Sequence, residues 1–304
     1  MRMVLSLHKI QDGKIQKFIM KKLFLLFIYL GCYIGYSQKT IELYPTGQIL
    51  FAKTDTEIPQ LTVFEPKEKK SDVVVIVCSG GSYGGRANDV EGLPACKMLN
   101  DNGITAFLLD YRVPNSSKME NKKFVPLTDV QKAIQYVRAH AEDYDVNPDK
   151  LGIMGFSAGG HLVTTAGTHF DTTKLPGAQK TNLRPDFVVA VYPVVSFSDE
   201  LTHWDSRNNL IGPAIAEEDI ILFSNEKQVT DNTPAMYLVS AIDDDVVKVE
   251  NSLQLEAALR QHEIPVEIYL YAKGGHGFGV NNKTAQKQWT KPCIKWILDE
   301  KWNK

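Results

Sequence analysis

Cysteine is scarce in this 304-residue chain, with four in all. Of the three beyond residue 37, Cys78, Cys96 and Cys293, no two stand at metal-ligand spacing. An odd count gives no disulfide framework; one bridge has room to form, and the spacing does not say which. Cys78 falls in an apolar run and reads as a small core residue. Basic clusters are missing too. No run of Lys and Arg is interleaved with aromatics, which argues against a nucleic-acid partner. Beyond the N-terminus there is no internal repeat, low-complexity tract or dividing linker. The one N-terminal apolar stretch, Leu23 to Tyr36, is short and interrupted by glycine, so it makes a poor membrane span.

That stretch reads instead as a signal peptide. Lys21 and Lys22 precede it, and Gly35 and Ser37 are the small residues a signal peptidase requires. Residues 1–37 are therefore expected to be an N-terminal extension and a signal peptide over about 20–37, with Met20 the natural start. The alternative is an N-terminal anchor. The expected location is periplasmic or secreted, with no stable membrane insertion after cleavage. Residues 38–304 carry 28 basic and 35 acidic residues, a net charge of −7 against −2 for the whole chain.

With 43% hydrophobic residues, the chain can bury the core of one large domain. Short β-branched runs alternate with amphipathic ones. "DVVVIVC" (72–78), "DFVVAVYP" (186–193) and "AMYLVSAI" (235–242) read as buried strands, and "ITAFLLDYR" (104–112), "KLGIM" (150–154) and "VEIYLY" (266–271) as strands. Helices are expected over 91–103, 126–141, 246–261 and, largely, 284–302. In the second of these, Leu127, Val130, Ile134 and Val137 share one face. One or two leading antiparallel strands are expected within 41–64. Such alternation implies a mostly parallel eight-stranded sheet with helices on both faces. Residues 199–232 form a cap-like insertion of a length that usually carries function.

The stretch "DKLGIMGFSAGGHLVTTAG" (149–167) places Ser157 between Gly155 and Gly159, where a strand turns into a helix. Open α/β sheets bind ligands at that end of their strands. A sharp turn there strains the serine backbone and leaves no room for bulk at its neighbours. A serine needs a base to take its proton. Of seven histidines, His276 stands apart, in the glycine-rich loop "KGGHGFG" between the last strand and the last helix. His140 and His262 fall at helix ends, and His169 and His203 in polar connections. His161 lies one turn past Ser157, too close along the chain to face it. The imidazole needs an acid to orient it, and "SAIDDDVVKVENS" supplies three aspartates. The strand runs out at Ile242, so Asp243 leaves the sheet first. A stripe of Val246, Val249, Leu253 and Ala257 places the helix start near Val246, which makes Asp245 its cap. Asp244 remains as the acid, with Asp245 its competitor. "CSGGSYGG" (78–85) follows a strand, so the amides of Gly81 and Ser82, with that of Ala158, are candidate donors to an oxyanion. It is not a phosphate loop, because no Lys-Ser or Lys-Thr follows its glycines.

These stretches, with "LLDYRVP", "PLTDVQKAIQYVRAHAEDYDVNPDKLGIMGFSAGGHL" and "VYPVVSF", resemble α/β-hydrolases of the esterase and lipase kind with an HGGG-type oxyanion loop. More closely they resemble bacterial acetylxylan esterase and feruloyl esterase-like (BD-FAE-like) carbohydrate esterases. The resemblance implies a single α/β-hydrolase domain over 38–304. It also implies a nucleophile at Ser157, an acid at Asp244, a base at His276 and oxyanion donors at Gly81, Ser82 and Ala158. The implied reaction is removal of acetyl groups from an acylated carbohydrate such as xylan, through an acyl-enzyme, with no cofactor and no metal. The chain departs from the pattern at Ser79, where the HGGG form has histidine, at Ser82, where it has the third glycine, and at Lys248, where proline is common. A feruloyl esterase is the alternative within the class. A prolyl-oligopeptidase-like peptidase usually carries a propeller, for which there is no room. An inactive glycan-binding hydrolase fold does not account for an intact Ser157, Asp244 and His276. A xylanase uses two opposed carboxylates, which these motifs do not supply.

Overall fold

The structure, a computed structural model, describes residues 39–45, 47–54, 57–177, 180–213 and 216–303, all in the unit Lys39–Lys304. The expected signal peptide lies outside the described residues.

Eight strands form one sheet among the described residues: β1 (Thr40–Glu42), β2 (Gln60–Phe64), β3 (Val74–Cys78), β4 (Thr105–Asp110), β5 (Leu151–Phe156), β6 (Phe187–Val191), β7 (Ala235–Ala241) and β8 (Val266–Tyr271). Their order is β1-β2-β4-β3-β5-β6-β7-β8. The two leading strands pair antiparallel, and every pairing from β4 through β3 to β8 is parallel. The helices are α1 (Leu93–Asp101), α2 (Val125–Ala139), α3 (Ala158–Thr168), α4 (Trp204–Ile211), α5 (Glu217–Leu222), α6 (Glu250–Gln261) and α7 (Thr290–Leu298).

The period-2 geometry of a strand splits β3 between two cores. Val74, Ile76 and Cys78 face one core, where α2, α3 and α6 pack. Val75 and Val77 face the other, where α1 and α7 pack. Each fully buried Val or Ile contributes about 1.5–3 kcal/mol, so a strand apolar on both faces is stable only with both covered. The expected face of α2, Leu127 to Val137, is buried in the first core. Beside it, Arg112 donates to Asp129 through Nε and Nη2, and both side chains are fully buried. Cys78, Cys96 and Cys293 are each buried and free.

Two helix boundaries differ from expectation. The last helix starts at Thr290, not 284. Upstream, Asn282 and Thr284 donate from their side chains to the Lys273 carbonyl, and Gln288 bonds the backbone of Asn282. Such local bonds compete with the helix ladder. The helix after β7 starts at Glu250, not Val246, for a reason that belongs to the site.

Candidate active site

β5 ends at Phe156 and α3 begins at Ala158, so Ser157 alone turns the chain, with φ 51° and ψ −118°. A non-glycine residue in such a conformation costs about 1–3 kcal/mol. Its surroundings hold it there. Ser157 N donates to Val191 O at 3.0 Å, and Ser157 O accepts from His161 N at 3.0 Å and Val194 N at 3.1 Å. The flanking glycines are required by space. A Cβ at Gly155 would lie 2.1 Å from Gly159 O, and one at Gly159 would lie 2.3 Å from Cys78 O.

His276 reaches this turn from the loop between β8 and α7. Gly275 and Gly277, at φ 60° and 77°, curl the backbone around it. Its Nε2 lies 2.9 Å from Ser157 Oγ, and its Nδ1 lies 2.8 Å from Asp244 Oδ2. Asp244 accepts only, so Nδ1 carries the proton and Nε2 is free to accept from the serine. The structure thus brings Ser157, His276 and Asp244 together at the C-terminal ends of β5, β8 and β7.

The three aspartates have three environments, and one differs from expectation. Asp243 is exposed, and its Oδ1 accepts from Gly274 N and Gly275 N, both at 2.8 Å, which braces the His276 loop from outside. The Asp244 side chain is fully buried. While Oδ2 faces His276, Oδ1 accepts from Val246 N at 3.0 Å and Val247 N at 2.9 Å. Asp244 therefore caps this turn itself. The next bonds, Asn251 N to Lys248 O and Ser252 N to Val249 O, span only three residues, and the first bond of α-helical span is Leu253 N to Val249 O, so the helix begins at Glu250 and Asp245 caps nothing.

The loop after β3 lies directly against the serine. A Cβ at Gly80 would sit 2.9 Å from Ser157 Cβ. Gly81, Ser82 and Tyr83 follow with positive φ of 121°, 55° and 56°. Gly81 O accepts from Gly84 N and Gly85 N, which closes the turn. Among the described residues, the Gly81 and Ser82 amides meet no acceptor. Ala158 opens α3, where free helix amides favour negative charge. The loop is pinned from three sides. Tyr111 OH donates to Ser79 O at 2.9 Å, Ser79 Oγ donates to Asn88 Oδ1 at 2.6 Å, and Asn209 Nδ2 on α4 donates to Ser82 O at 2.9 Å. The insertion thus touches the loop through Asn209.

Two histidines lie in the connections expected for them, but neither is exposed. His169 is buried at the end of α3, and His203 is half-buried at the start of α4. His161 is fully buried. Its Nε2 lies 2.8 Å from Phe223 O and its Nδ1 2.8 Å from Tyr83 OH. The carbonyl only accepts, so Nε2 is protonated and Nδ1 accepts from the tyrosine. Burial pushes this imidazole down to about 4, so it stays neutral and anchors Tyr83. Sequence reasoning missed Glu91 and Tyr192. Glu91 is buried, with Oε2 2.6 Å from Gly80 N and Oε1 3.0 Å from Tyr192 OH. At the start of a helical stretch an acid reads as a dipole partner, so nothing in the pattern signalled its burial. Among the described residues, no three His, Cys, Asp or Glu side chains are grouped to hold a metal ion, and no helix is long and apolar enough to cross a membrane.

Comparison with known proteins agrees on one family. The BD-FAE family model matches residues 61–259. Endo-1,4-beta-xylanase B of Butyrivibrio fibrisolvens is 34% identical over 235 residues, which cover 77% of this chain and 36% of that protein. The acetylxylan esterase of Xylanibacter ruminicola is 30% identical over 256 residues, covering 78% of this chain and 50% of that protein. The chain thus spans between about a third and a half of the length of these relatives. The crystal structure of an acetyl ester-xyloside bifunctional hydrolase from Caldicellulosiruptor lactoaceticus is 34% identical, with a TM-score of 0.78. That match covers 87% of this chain and 97% of that one.

Proposed function

The chain belongs to the BD-FAE family of α/β-hydrolase esterases, and from that premise we propose that it is a serine esterase removing acetyl groups from a plant polysaccharide such as xylan. The observation that carries the reading is the hydrogen-bonded chain from Ser157 through His276 to Asp244. Ser157 Oγ attacks the ester carbonyl as His276 Nε2 takes its proton. Asp244 holds the imidazole in the required tautomer and stabilises it once protonated. The carbonyl oxygen gains negative charge beside the amides of Gly81, Ser82 and Ala158, backbone donors supplied by the loop and the helix start. His276 then returns the proton to the departing sugar hydroxyl, leaving an acetyl-serine. Water repeats the sequence and releases acetate. Every step uses groups of this chain.

The substrate class is supported by the relatives, whose names refer to acetylxylan, xylan and acetyl ester-xyloside. Acetate release from acetylated xylan is the expected result in a panel with acetylated mannan and methyl ferulate. Among p-nitrophenyl esters from acetate to octanoate, the rate is expected to peak at acetate. A maximum at octanoate, or ferulate release without acetate release, overturns the acetyl reading.

Polymeric substrate calls for an enzyme outside the cytoplasm. The basic and apolar segment over 20–37 supports export with cleavage between Ser37 and Gln38. N-terminal sequencing of the protein from the cell envelope is expected to begin at Gln38. A cytoplasmic protein that keeps Met1 refutes export.

A further inference from the structure

We propose that Glu91 is a positioning residue that locks the oxyanion loop and the His276 loop into one arrangement, acting through Tyr192. The proposal rests on the Ser157 reading above. It starts from the direction of four hydrogen-bonding groups. Gly279 N donates to Tyr192 OH at 3.0 Å, so the tyrosine oxygen already accepts there. Its own proton points to Glu91 Oε1 at 3.0 Å. The other carboxyl oxygen, Oε2, accepts from Gly80 N at 2.6 Å. Glu91 therefore accepts at both oxygens. One end of this chain of bonds is in the loop beside Ser157, and the other is three residues beyond His276.

Each end controls something the reaction needs. Gly80 is wedged between Glu91 and the serine, since a Cβ there would lie 2.9 Å from both Glu91 Oε2 and Ser157 Cβ. The bond at Gly80 N holds the Ser79–Gly80 peptide, and Gly80 O, which accepts from Ala87 N at 3.0 Å, holds the next one, whose amide is that of Gly81. Tyr192 packs its ring edge-on against His276, with centroids 4.8 Å apart, and against Phe278 at 4.7 Å. Its backbone holds a strained φ of 36°, kept by its bond to Val239 O. Gly279 O also accepts from Trp289 Nε1 at 2.9 Å, which fixes the far side of the His276 loop. Glu91 is buried beneath both loops, so the substrate does not touch it. Burial raises its carboxyl above the usual range, and the donors around it oppose that shift. Sequence gives no hint of this role, because Glu91, Tyr192 and Gly279 meet only in the fold.

Glutamine at position 91 has nearly the same volume but presents one acceptor and one donor group. Whichever way it turns, either Gly80 N–H or Tyr192 O–H faces an NH2. Glu91→Gln is expected to lower kcat on p-nitrophenyl acetate by about tenfold to hundredfold, less than outright loss of an oxyanion donor. KM is expected to stay within about twofold. Tyr192→Phe keeps the ring packing, loses only the hydroxyl, and is expected to lower kcat comparably. The double variant is expected to be little worse than the poorer single one, because both cut one connection. Rates are taken per site titrated by a fluorophosphonate, so misfolded protein does not count. Unchanged kcat per titrated site in both variants overturns the proposal, and so do fully additive losses. Wild-type protein that does not react at Ser157 removes the Ser157 reading itself, and the proposal with it.

Discussion

Ser157→Ala is expected to abolish ester turnover, lowering kcat/KM by about 10⁴ or more while the chain stays folded. The size of the effect follows from the reaction path. Without Oγ there is no acyl-enzyme, and what remains is the donor loop and a histidine acting on water. The folded state is expected to survive. Alanine keeps the Cβ that packs against Gly80, and it meets the same positive φ that serine already tolerates at 51°. Ser157 Oγ contributes one hydrogen bond, to His276, worth about 1 kcal/mol. The backbone bonds from Val194 and His161 to Ser157 O, and from Ser157 to Val191, do not involve the side chain. The measurement is p-nitrophenyl acetate hydrolysis beside a thermal melt. A variant that melts like wild type and still turns over at a near-normal rate ends the serine-esterase reading.

Asp244→Asn is expected to lower kcat by about 10⁴, and the two oxygens of Asp244 explain why no rotamer of asparagine escapes the loss. Oδ1 serves the amides of Val246 and Val247, and Oδ2 serves His276 Nδ1. If the asparagine oxygen stays with the two valines, its NH2 faces Nδ1. The imidazole must then accept there, which moves its proton to Nε2 and removes the acceptor for Ser157. If the amide flips, its NH2 collides with two backbone donors and the turn loosens. Asp243→Asn is expected to stay within a few-fold of wild type, because an amide oxygen still accepts from Gly274 and Gly275. Asp245→Asn is expected to change neither rate nor stability measurably, since that side chain is exposed and caps nothing. Parallel rate measurements on the three variants decide the assignment. An active Asp244→Asn beside an inactive Asp245→Asn places the acid one residue later.

How far the site was legible depends on whether each feature is local. The turn at Ser157 was readable because its demands fall on adjacent residues: a strand, two small neighbours and a helix start. The strands β3 to β7 were readable for a similar reason, as burial on both faces leaves a continuous apolar run. The helix after β7 was misplaced by four residues. The stripe of Val246, Val249, Leu253 and Ala257 has a helical period, but the first backbone bond of α-helical span is Leu253 N to Val249 O. Apolar spacing reports which side chains can share a face, and it carries no information about which turn the backbone bonds start from. The histidines show the same limit. His169 looked like part of a polar connection because Thr168 precedes it and Asp171 follows. It is buried, with Nδ1 2.9 Å from Thr168 Oγ1 and its carbonyl accepting from Gln131 Nε2 at 3.2 Å.

The order of strands and helices, the mostly parallel sheet and the placing of Ser157 at a strand end were determined by the sequence itself. Each follows from periodicity and local backbone sterics, which act over a few residues. The meeting of Ser157 with His276, 119 positions away, was decided by tertiary structure. So was the division of Asp244 between His276 and its own turn, and so was the burial of Glu91 between two loops. The physical reason is common to all three. A hydrogen bond depends on angstrom-scale distance and direction, and those are fixed only when β5, β6, β7 and β8 line up in one sheet and bring the loops at their ends together. Apolar pattern specifies that packing without specifying which polar groups it will align.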